Sequence, residues 1–294
     1  MRLGLSLPVF TADARRSVDV ARRAAAAGYH GMFAPDHLFP PGRPDRPSLD
    51  ALSLLAAVAA AVPGIPVGTL VTRAGVRPVG ILAKQLAGLA HVAGGSVIAG
   101  LGMGDAHARD EHAALGIPFL PIDERAGVLE ETALALGALF GGRPWSGGVH
   151  VPPVTGPLLP PATGSVWLGG RGDRVVRAAG RSAAGWNGWA LDAQGFSDRA
   201  ANVREAAAEA GRDPERLTLS WGGIVLVGRD PAELAVLETE RASRGMSMDV
   251  WRGTADDLRG FADRLERAEA SWLICVPAGP PDRLELVART LREG

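Results

Sequence analysis

Residues 67–104 read VGTLVTRAGVRPVGILAKQLAGLAHVAGGSVIAGLGMG and contain one complete copy of the pattern that decides the fold. An apolar run, Val67–Val71, precedes a polar loop and Pro78, which is well placed to start a helix over 79–92. A glycine pair ends that helix, and a second apolar run follows at Val97–Leu101. The stretch therefore predicts a strand, a helix and a second strand.

The same alternation runs through the whole chain. Eight short apolar runs have the length of strands, and helix-like stretches rich in Ala, Leu and Arg lie between them. The runs are Leu3–Pro8, His30–Ala34, Val67–Val71, Val97–Leu101, Val166–Leu168, Gly185–Trp189, Leu217–Trp221 and Trp272–Val276. This rhythm predicts an α/β fold, a single TIM-like (β/α)8 barrel over residues 1–294. Residues 141–164 lack periodicity and are predicted to be an insertion, either an edge hairpin or an ordered loop over the pocket.

The composition limits the classes of function. The chain has 294 residues, of which 47% are hydrophobic, and a formal net charge of −1. It can bury a large core and has no excess of positive charge to attract nucleic acid or an anionic membrane. A small neutral or anionic ligand is therefore favoured. The single cysteine, Cys275, lies in the last apolar run and excludes a disulfide within the chain.

No targeting or membrane segment is evident in the sequence. The chain enters a strand at Leu3 without a basic stretch followed by a long apolar segment. The alanine-rich segment 49–62 is too short to cross a bilayer. We expect a cytoplasmic protein whose partner is a small-molecule substrate.

The first candidate functional residues follow the second predicted strand. Asp36 and His37 stand at its carboxyl end, where TIM barrels carry their chemistry. An imidazole beside a carboxylate could transfer a proton, orient a substrate or pack on a planar ring. The alternative interpretation is an aspartate that caps a turn and a histidine bonded to backbone. Their place at the carboxyl end of a barrel strand favours the functional interpretation.

Glycine-rich segments follow the fourth and fifth predicted strands. Gly102–Asp105 ends strand four, where glycines either let a ligand approach the backbone or form a turn. Gly169–Asp173 follows strand five and opens a helix, so its N–H groups and Arg171 could bind a phosphate. The alternative is a tight turn that needs glycine for its shape, and Asp173 would compete for the same amides.

Two further patterns carry less weight. Asp105, His107, Glu111 and His112 resemble metal ligands in spacing, but on a helix they do not share one face, so no metal site is predicted. Trp189 is the best candidate for an aromatic wall of a cofactor pocket, although the tryptophans of these strands could equally fill the barrel. The chain has no Gly-x-Ser-x-Gly elbow and no Walker loop, which removes several enzyme classes.

Taken together and in their order, eight motifs resemble the luciferase-like monooxygenase family, and most closely its branch that uses the 5-deazaflavin coenzyme F-420. The motifs are Leu3–Pro8, Pro35–His37, Gly68–Thr72, Leu82–Leu86, Gly100–Gly104, Leu115–Pro118, Val166–Gly170 and Gly185–Asn187. The stretch Gly253–Leu258 also looks like a late helix start of that family. The resemblance implies a TIM-like barrel with an insertion near the fourth strand, a flavin-type ring at the strand ends and a homodimer.

The resemblance also implies roles for particular residues. Asp36 would meet the pyrimidine edge of the ring, and His37 would stand near its reactive face. A strand bulge with a non-proline cis peptide is expected at Leu70–Val71, behind the ring. Met103–Gly104 would touch the ring or its side chain. The phosphate would be bound by Gly169, Gly170, Arg171 and Gly172.

At two positions the chain departs from relatives within that branch. Asp105 stands where some deazaflavin dehydrogenases carry a glutamate acid/base, and its side chain is one methylene shorter. The loop after His37 reads Leu38-Phe39-Pro40-Pro41 and lacks the tryptophan of the sugar-phosphate dehydrogenase branch. We therefore do not predict a sugar-phosphate substrate.

The leading hypothesis is hydride transfer between coenzyme F-420 and a small organic substrate, with His37 or Asp105 handling the proton. Three alternatives remain at this point. They are an FMN-dependent monooxygenase of the same fold, a flavin-binding protein without turnover, and a metal-dependent barrel hydrolase.

Overall fold

The structure, a computed structural model, describes residues 1–245 and 249–292. The strands within these ranges are Arg2–Ser6 (β1), Gly31–Ala34 (β2), Val67–Arg73 (β3), Val97–Gly102 (β4), Gly164–Gly169 (β5), Gly185–Trp189 (β6), Thr218–Gly228 (β7), Trp251–Thr254 (β8) and Trp272–Ala278 (β9). The helices are Ala14–Ala27 (α1), Ala51–Ala61 (α2), Val79–Val92 (α3), Ala108–Ala114 (α4), Ile122–Phe140 (α5), Asp173–Ser182 (α6), Ala193–Glu209 (α7), Pro231–Ser243 (α8), Ala255–Arg267 (α9) and Arg283–Arg292 (α10).

Eight of these strands close into a parallel barrel. β1 to β6 pair in sequence order, β6 pairs with β7, β7 with β9, and β9 with β1. Each of the eight predicted runs contributes one barrel strand, so the predicted (β/α)8 fold is confirmed. Closure leaves no open edge, and it brings the carboxyl ends of all eight strands to one rim.

The structure adds a ninth strand that the sequence pattern did not indicate. β8 pairs with the projecting end of β7, Val225–Gly228, and not with the other barrel strands. Its four residues lie at the end of a polar stretch that follows α8. The run is too short and too polar to show a period of two. Residues 246–248 of that stretch lie outside the described part of the chain.

Helix bounds follow local signals. α1 begins after Asp13, whose carboxylate accepts the Arg15 N–H, and its C-cap is Gly28, which has a φ of 93° that only glycine adopts readily. The late helix start expected at 253–258 is confirmed, because Thr254 and Asp257 form a reciprocal capping box. None of the described helices combines the length and the apolar character that a bilayer crossing requires.

The interior of the barrel is filled by side chains. One cluster joins buried residues of five strands, and its members are Phe33, Leu70, Ile98, Trp167, Trp272 and Ile274. Two glycines make room for the rings: a Cβ at Gly4 would lie 2.8 Å from Phe33, and one at Gly31 would lie 2.9 Å from Trp272. A ligand must therefore bind above this cluster, at the rim.

The predicted insertion follows α5 and forms a small hairpin-like loop. Trp145 and Val154 pair as an antiparallel bridge. The carboxylate of Glu131, on α5, accepts the backbone N–H groups of Val149, His150 and Val151 at 2.7–2.9 Å. Lys84, on α3, donates to the Leu159 carbonyl. These contacts attach the loop to the outer helices, so of the two expected forms the structure favours the hairpin and not a cover over the strand ends.

A buried arginine joins the last two βα units. The Arg283 guanidinium is 2% exposed and donates to the Val227 carbonyl at 3.0 Å and to the Glu233 carboxylate at 2.9 Å. Glu233, on α8, also accepts hydrogen bonds from the backbone N–H and the guanidinium of Arg229. Hydrogen bonds from Arg229 and Arg283 lower the pKa of Glu233 to about 2.

We expect Glu233→Gln to lower the free energy of unfolding by about 1–3 kcal/mol, because it removes the more buried of the two carboxylates that pair with the Arg283 charge. The folded-state pKa lies below the ordinary value of 4.5, so this stabilisation is complete above pH 4.5 and is lost as pH falls toward 2. Urea unfolding across that pH range checks the prediction. Glu238→Gln, on the same helix in a loose exposed pair, is the control; an equal loss there would contradict it.

Candidate active site

Four strand ends that are distant in sequence meet at the rim. The Asp36 N–H donates to the Val71 carbonyl at 3.4 Å, which links the ends of β2 and β3. The Val71 side chain faces the backbones of Gly102 and Gly169, where hypothetical Cβ atoms would lie 2.6 Å from its methyl groups. The regions around positions 36, 70, 103 and 170 are thus brought together, as the sequence analysis expected.

The expected distortion of the third strand is present. The peptide bond between Leu70 and Val71 is cis, and the β3–β4 register shifts between Thr69 and Thr72. The bulge turns Val71 toward the space that glycines leave at the ends of β4 and β5. Glycine is required at both positions because any larger residue would overlap Val71.

The mouth of the barrel has an apolar lining. Five apolar side chains on or directly after five barrel strands stay only partly buried, and two of them, Val71 and Trp189, pack against the interior cluster; the other three are Met103, Ile224 and Val276. Partly exposed apolar groups at a concave strand end are typical of a ligand site. The position of Trp189 agrees with its predicted place beside the pocket, since it packs against the interior cluster while remaining accessible.

Asp36 is fully engaged within the protein. Its carboxylate accepts hydrogen bonds from the Thr72 hydroxyl and from the Arg77 guanidinium, which also bonds Asp50 at 3.0 Å. Asp50 is the N-cap of α2. Asp36 therefore ties the end of β2 to β3 and to the start of α2.

His37 is held at the rim by a buried glutamate. Its Nδ1 atom lies 2.8 Å from Oε1 of Glu111, which is on α4. The His37 side chain is 34% exposed, whereas the Glu111 side chain is 1% exposed. Phe10 packs on the imidazole with 5.9 Å between ring centroids. One edge of the imidazole is thus anchored in protein, and the ring remains accessible from outside.

The second oxygen of Glu111 is bonded too. Oε2 accepts the Leu38 N–H at 2.6 Å and the Arg73 guanidinium at 2.7 Å. Burial alone would raise the pKa of the Glu111 carboxyl, but the hydrogen bonds from His37 and Leu38 and the charges of His37 and Arg73 hold that pKa below its ordinary value. Glu111 is therefore a carboxylate at neutral pH, and Nδ1 of His37 must carry the hydrogen between them.

Met103, Gly104 and Asp105 form the turn after β4. Gly104 has a φ of 75°, and Arg125 donates to the carbonyls of Met103 at 3.1 Å and Gly104 at 2.6 Å. The Asp105 carboxylate accepts the His107 N–H at 2.9 Å and is exposed. Asp105 therefore caps its own turn, and its predicted acid/base role stays a prediction.

The segment Gly169–Gly172 leads from β5 into α6. Gly170 has a φ of 145°, and its N–H donates to the Asn187 carbonyl at 3.0 Å. Gly172 is the N-cap of α6 and supplies no side-chain cap. Asp173 bonds Arg199. Arg171 is 61% exposed, with Asp249 at 4.0 Å.

The residues with metal-like spacing, Asp105, His107, Glu111 and His112, have different partners in the structure. Glu111 bonds His37 and Arg73, whereas His112 Nδ1 lies 3.1 Å from the Pro118 carbonyl. His107 is exposed at the start of α4. Within the described ranges, no group of three His, Cys, Asp or Glu side chains is arranged to hold a metal ion.

Three site residues were missed by the sequence analysis. Arg73 and Arg77 belong to what the pattern presents as a polar loop, and Glu111 appeared only as one member of a metal-like spacing. Their signal was weak because each acts through a partner at least 30 positions away: Arg73 through Glu111, Arg77 through Asp36, and Glu111 through His37.

Comparison with known proteins agrees with this geometry. The sequence model of the luciferase-like monooxygenase family matches residues 1–276. A phthiodiolone/phenolphthiodiolone dimycocerosates ketoreductase of Mycobacterium kansasii is 32% identical over 176 residues, which are 56% of this chain. The match covers only 45% of that curated relative's length.

Solved structures share the fold over nearly the whole chain. An F-420-dependent secondary alcohol dehydrogenase superposes with a TM-score of 0.84 at 15% identity, covering 99% of this chain and 98% of its own. The coenzyme F-420-dependent tetrahydromethanopterin reductase of Methanopyrus kandleri gives 0.79 at 18%, with coverages of 99% and 98%. A long-chain alkane monooxygenase gives 0.80 at 15%, with coverages of 100% and 91%. At these identities the likeness establishes the fold.

We expect Gly169→Ala to destabilise the protein by about 1–3 kcal/mol, because its Cβ would lie 2.6 Å from a Val71 methyl group. The Val71 methyl resonances should shift in NMR spectra of the variant. Gly88→Ala, on α3 with no atom within 4 Å of the new Cβ, is the control and should be neutral or slightly stabilising. Equal stability of the two variants would show that the Val71 packing is loose.

Proposed function

The chain belongs to the luciferase-like monooxygenase family, and we propose that it is an oxidoreductase that transfers a hydride between the deazaflavin coenzyme F-420 and a small organic substrate. The observation that carries the proposal is His37, a half-exposed imidazole anchored by a buried carboxylate beside an apolar mouth. Such a group can exchange a proton with a substrate oxygen next to a flat redox ring.

The names of similar proteins favour carbonyl and alcohol chemistry. The partial relative is a ketoreductase, and one protein of the same fold is an F-420-dependent secondary alcohol dehydrogenase. Both names describe interconversion at a carbonyl carbon. We therefore propose a ketone or a secondary alcohol as the substrate class.

The residues at the rim fit a flavin-type ring. The partly buried side chains of Val71 and Trp189 lie against the filled interior and offer an apolar contact for a ligand, and Met103 follows the neighbouring strand β4. We propose that Leu70, Val71, Met103 and Gly104 lie against the ring. Asp36 would shape the polar edge of the site together with Arg77, to which it is already bonded.

The start of α6 fits a phosphate. Gly172 leaves open space where a Cβ would stand, and no side chain caps the first N–H groups of this fully described helix. Asp173, a possible competitor for those amides, bonds Arg199 instead. We propose that Gly169, Gly170 and Gly172 let the phosphate approach the helix start, with Arg171 as a second contact.

The chain's own residues would position the substrate and handle the proton. Coenzyme F-420, when bound, donates or accepts the hydride and favours two-electron transfer over oxygen activation. In the reducing direction, His37 would give a proton from Nε2 to the carbonyl oxygen, and in the oxidising direction it would take one from the hydroxyl. The apolar mouth would exclude water from the reacting atoms. Asp105, which is exposed, is a second candidate for proton exchange with solvent.

An FMN-dependent monooxygenase is the second candidate function. It is favoured by the long-chain alkane monooxygenase among the proteins of the same fold. Both cofactors have a tricyclic ring and a phosphate, so the proposed contacts at Val71 and Gly172 serve either one. Measurements of the binding of F-420 and of FMN distinguish the two candidate functions.

Titration of the purified protein with oxidised F-420, reduced F-420 and FMN, followed by absorbance and fluorescence, tests the proposal. We expect saturable binding of F-420 and exchange of a hydride with a ketone or secondary alcohol from a substrate panel. Tight binding of FMN without affinity for F-420 would overturn the cofactor assignment. Binding without turnover on any substrate would favour a flavin-binding protein.

We expect Arg171→Ala to weaken F-420 binding about 10- to 100-fold, since a charge-assisted hydrogen bond to phosphate contributes about 1.5–3 kcal/mol. Arg174→Ala removes a neighbouring exposed arginine, in the first turn of α6, which pairs with Asp123 at 2.6 Å, and serves as the control. Unchanged affinity of the Arg171 variant would assign phosphate binding to the backbone amides alone.

A further inference from the structure

Glu111 is a buried carboxylate at the rim, and the proposed function uses it only as the anchor of His37. It lies on α4, is 1% exposed and contacts no group that would touch a ligand except His37. A buried charge is costly unless it is paired and hydrogen-bonded. Glu111 meets that condition with three partners, so its position is built into the fold.

The two oxygens of Glu111 have separate partners. Oε2 takes the Leu38 N–H and the Arg73 guanidinium, which attach the carboxylate to the loop after β2 and to the end of β3. Oε1 takes His37 alone. Oε2 therefore fixes the carboxylate in place, and Oε1 is available to control the imidazole.

The charged groups around His37 leave Glu111 as its direct anionic partner. Asp36, the preceding residue, is bonded to Arg77 and Thr72. Asp105 caps its own turn through the His107 N–H. Arg73 bonds the other oxygen of Glu111, and Phe10 covers another side of the ring without charge. Within the described part of the chain, no hydrogen bond engages Nε2 of His37.

We propose that Glu111 is a positioning residue for proton transfer, which holds the hydrogen of His37 on Nδ1 and directs Nε2 toward the substrate oxygen. This inference rests on the proposed function and deepens it. The carboxylate fixes one tautomer of the neutral imidazole and stabilises the imidazolium when Nε2 is protonated. The Leu38 N–H and the Arg73 guanidinium hold Glu111 in place as a carboxylate throughout.

The proton and electron balance of the reducing direction is closed. The carbonyl carbon receives a hydride, which oxidises the reduced coenzyme by two electrons, and the carbonyl oxygen takes the Nε2 proton. A C–H bond and an O–H bond form, and the C–O π bond breaks. The neutral imidazole, with its hydrogen still on Nδ1, is protonated again from solvent. The oxidising direction is the reverse.

A merely structural role for Glu111 predicts different behaviour. Glu111 also anchors Leu38 and Arg73, so its loss could disturb the loop without acting through His37. Two variants separate these effects. Glu111→Gln keeps an acceptor of the same size but removes the charge, and Glu111→Ala removes both.

The first experiment needs no cofactor or substrate. In ¹⁵N NMR spectra of the histidine-labelled protein, we expect His37 to be in the Nδ1–H tautomer in wild type and in Glu111→Gln. In Glu111→Ala, the Nε2–H tautomer should appear. Asp110→Asn, the exposed neighbour on α4, should leave the spectrum unchanged. An Nε2–H tautomer in wild type would overturn the proposal.

The second experiment measures turnover with F-420. We expect Glu111→Ala to lower kcat about 10²-fold or more while KM and F-420 affinity change little, because a positioned acid or base contributes about 10²–10⁴-fold. Glu111→Ala combined with His37→Ala should be no slower than His37→Ala alone. Multiplied losses in the double variant would show a role independent of His37.

Glu111→Gln keeps the proposal testable if the alanine variant does not fold. In the reducing direction, the limb of the kcat profile that requires a protonated group should move to lower pH by about one unit or more, since the stabilising charge is gone. A profile identical to that of wild type would overturn the inference. If wild type shows no turnover with F-420, the proposed function fails, while the tautomer experiment still decides the role of Glu111.

Discussion

The packing of Val71 against two glycines is the contact on which the geometry of the rim depends. The bulge in β3 turns Val71 toward the ends of β4 and β5, and the missing Cβ atoms of Gly102 and Gly169 leave the space that its methyl groups approach. This contact brings three neighbouring strands together at a point where each must also start a functional loop. The half-buried apolar mouth and the polar groups around it follow from that arrangement.

Two carboxylates at this rim have different surroundings and different tasks. Asp36 is bonded to Arg77 and Thr72, which makes it a connection between strands and the start of α2. Glu111 is bonded to Arg73 on one oxygen and to His37 on the other. Because the hydrogen bonds from His37 and Leu38 and the charge of Arg73 hold the pKa of Glu111 below its ordinary value, this carboxylate remains ionised in a buried position and can still act on an accessible imidazole. Oε2 of Glu111 thus anchors the loop after β2, whereas Oε1 acts on the proton of His37.

Much of this arrangement could be predicted from the sequence, and the remainder depends on contacts between distant residues. The eight barrel strands were found because each is an apolar run next to a helical pattern, and the cis bond at Leu70–Val71 was found because the motif there resembles a known family. β8 was missed because four residues cannot show a period. Glu111 was missed because its importance comes from His37, 74 positions earlier, and no local pattern records that contact. The engagement of Asp36 by Arg77 was hidden for the same reason.

The insertion after α5 is attached to the barrel through its main chain. A single carboxylate, Glu131, binds three successive backbone N–H groups at the tip of the loop, while the Val149 side chain is 90% exposed. Because Glu131 binds main-chain N–H groups, the anchor does not depend on which side chains point outward from the tip. A substitution at Val149 therefore changes the surface of the loop and leaves its attachment to α5 in place.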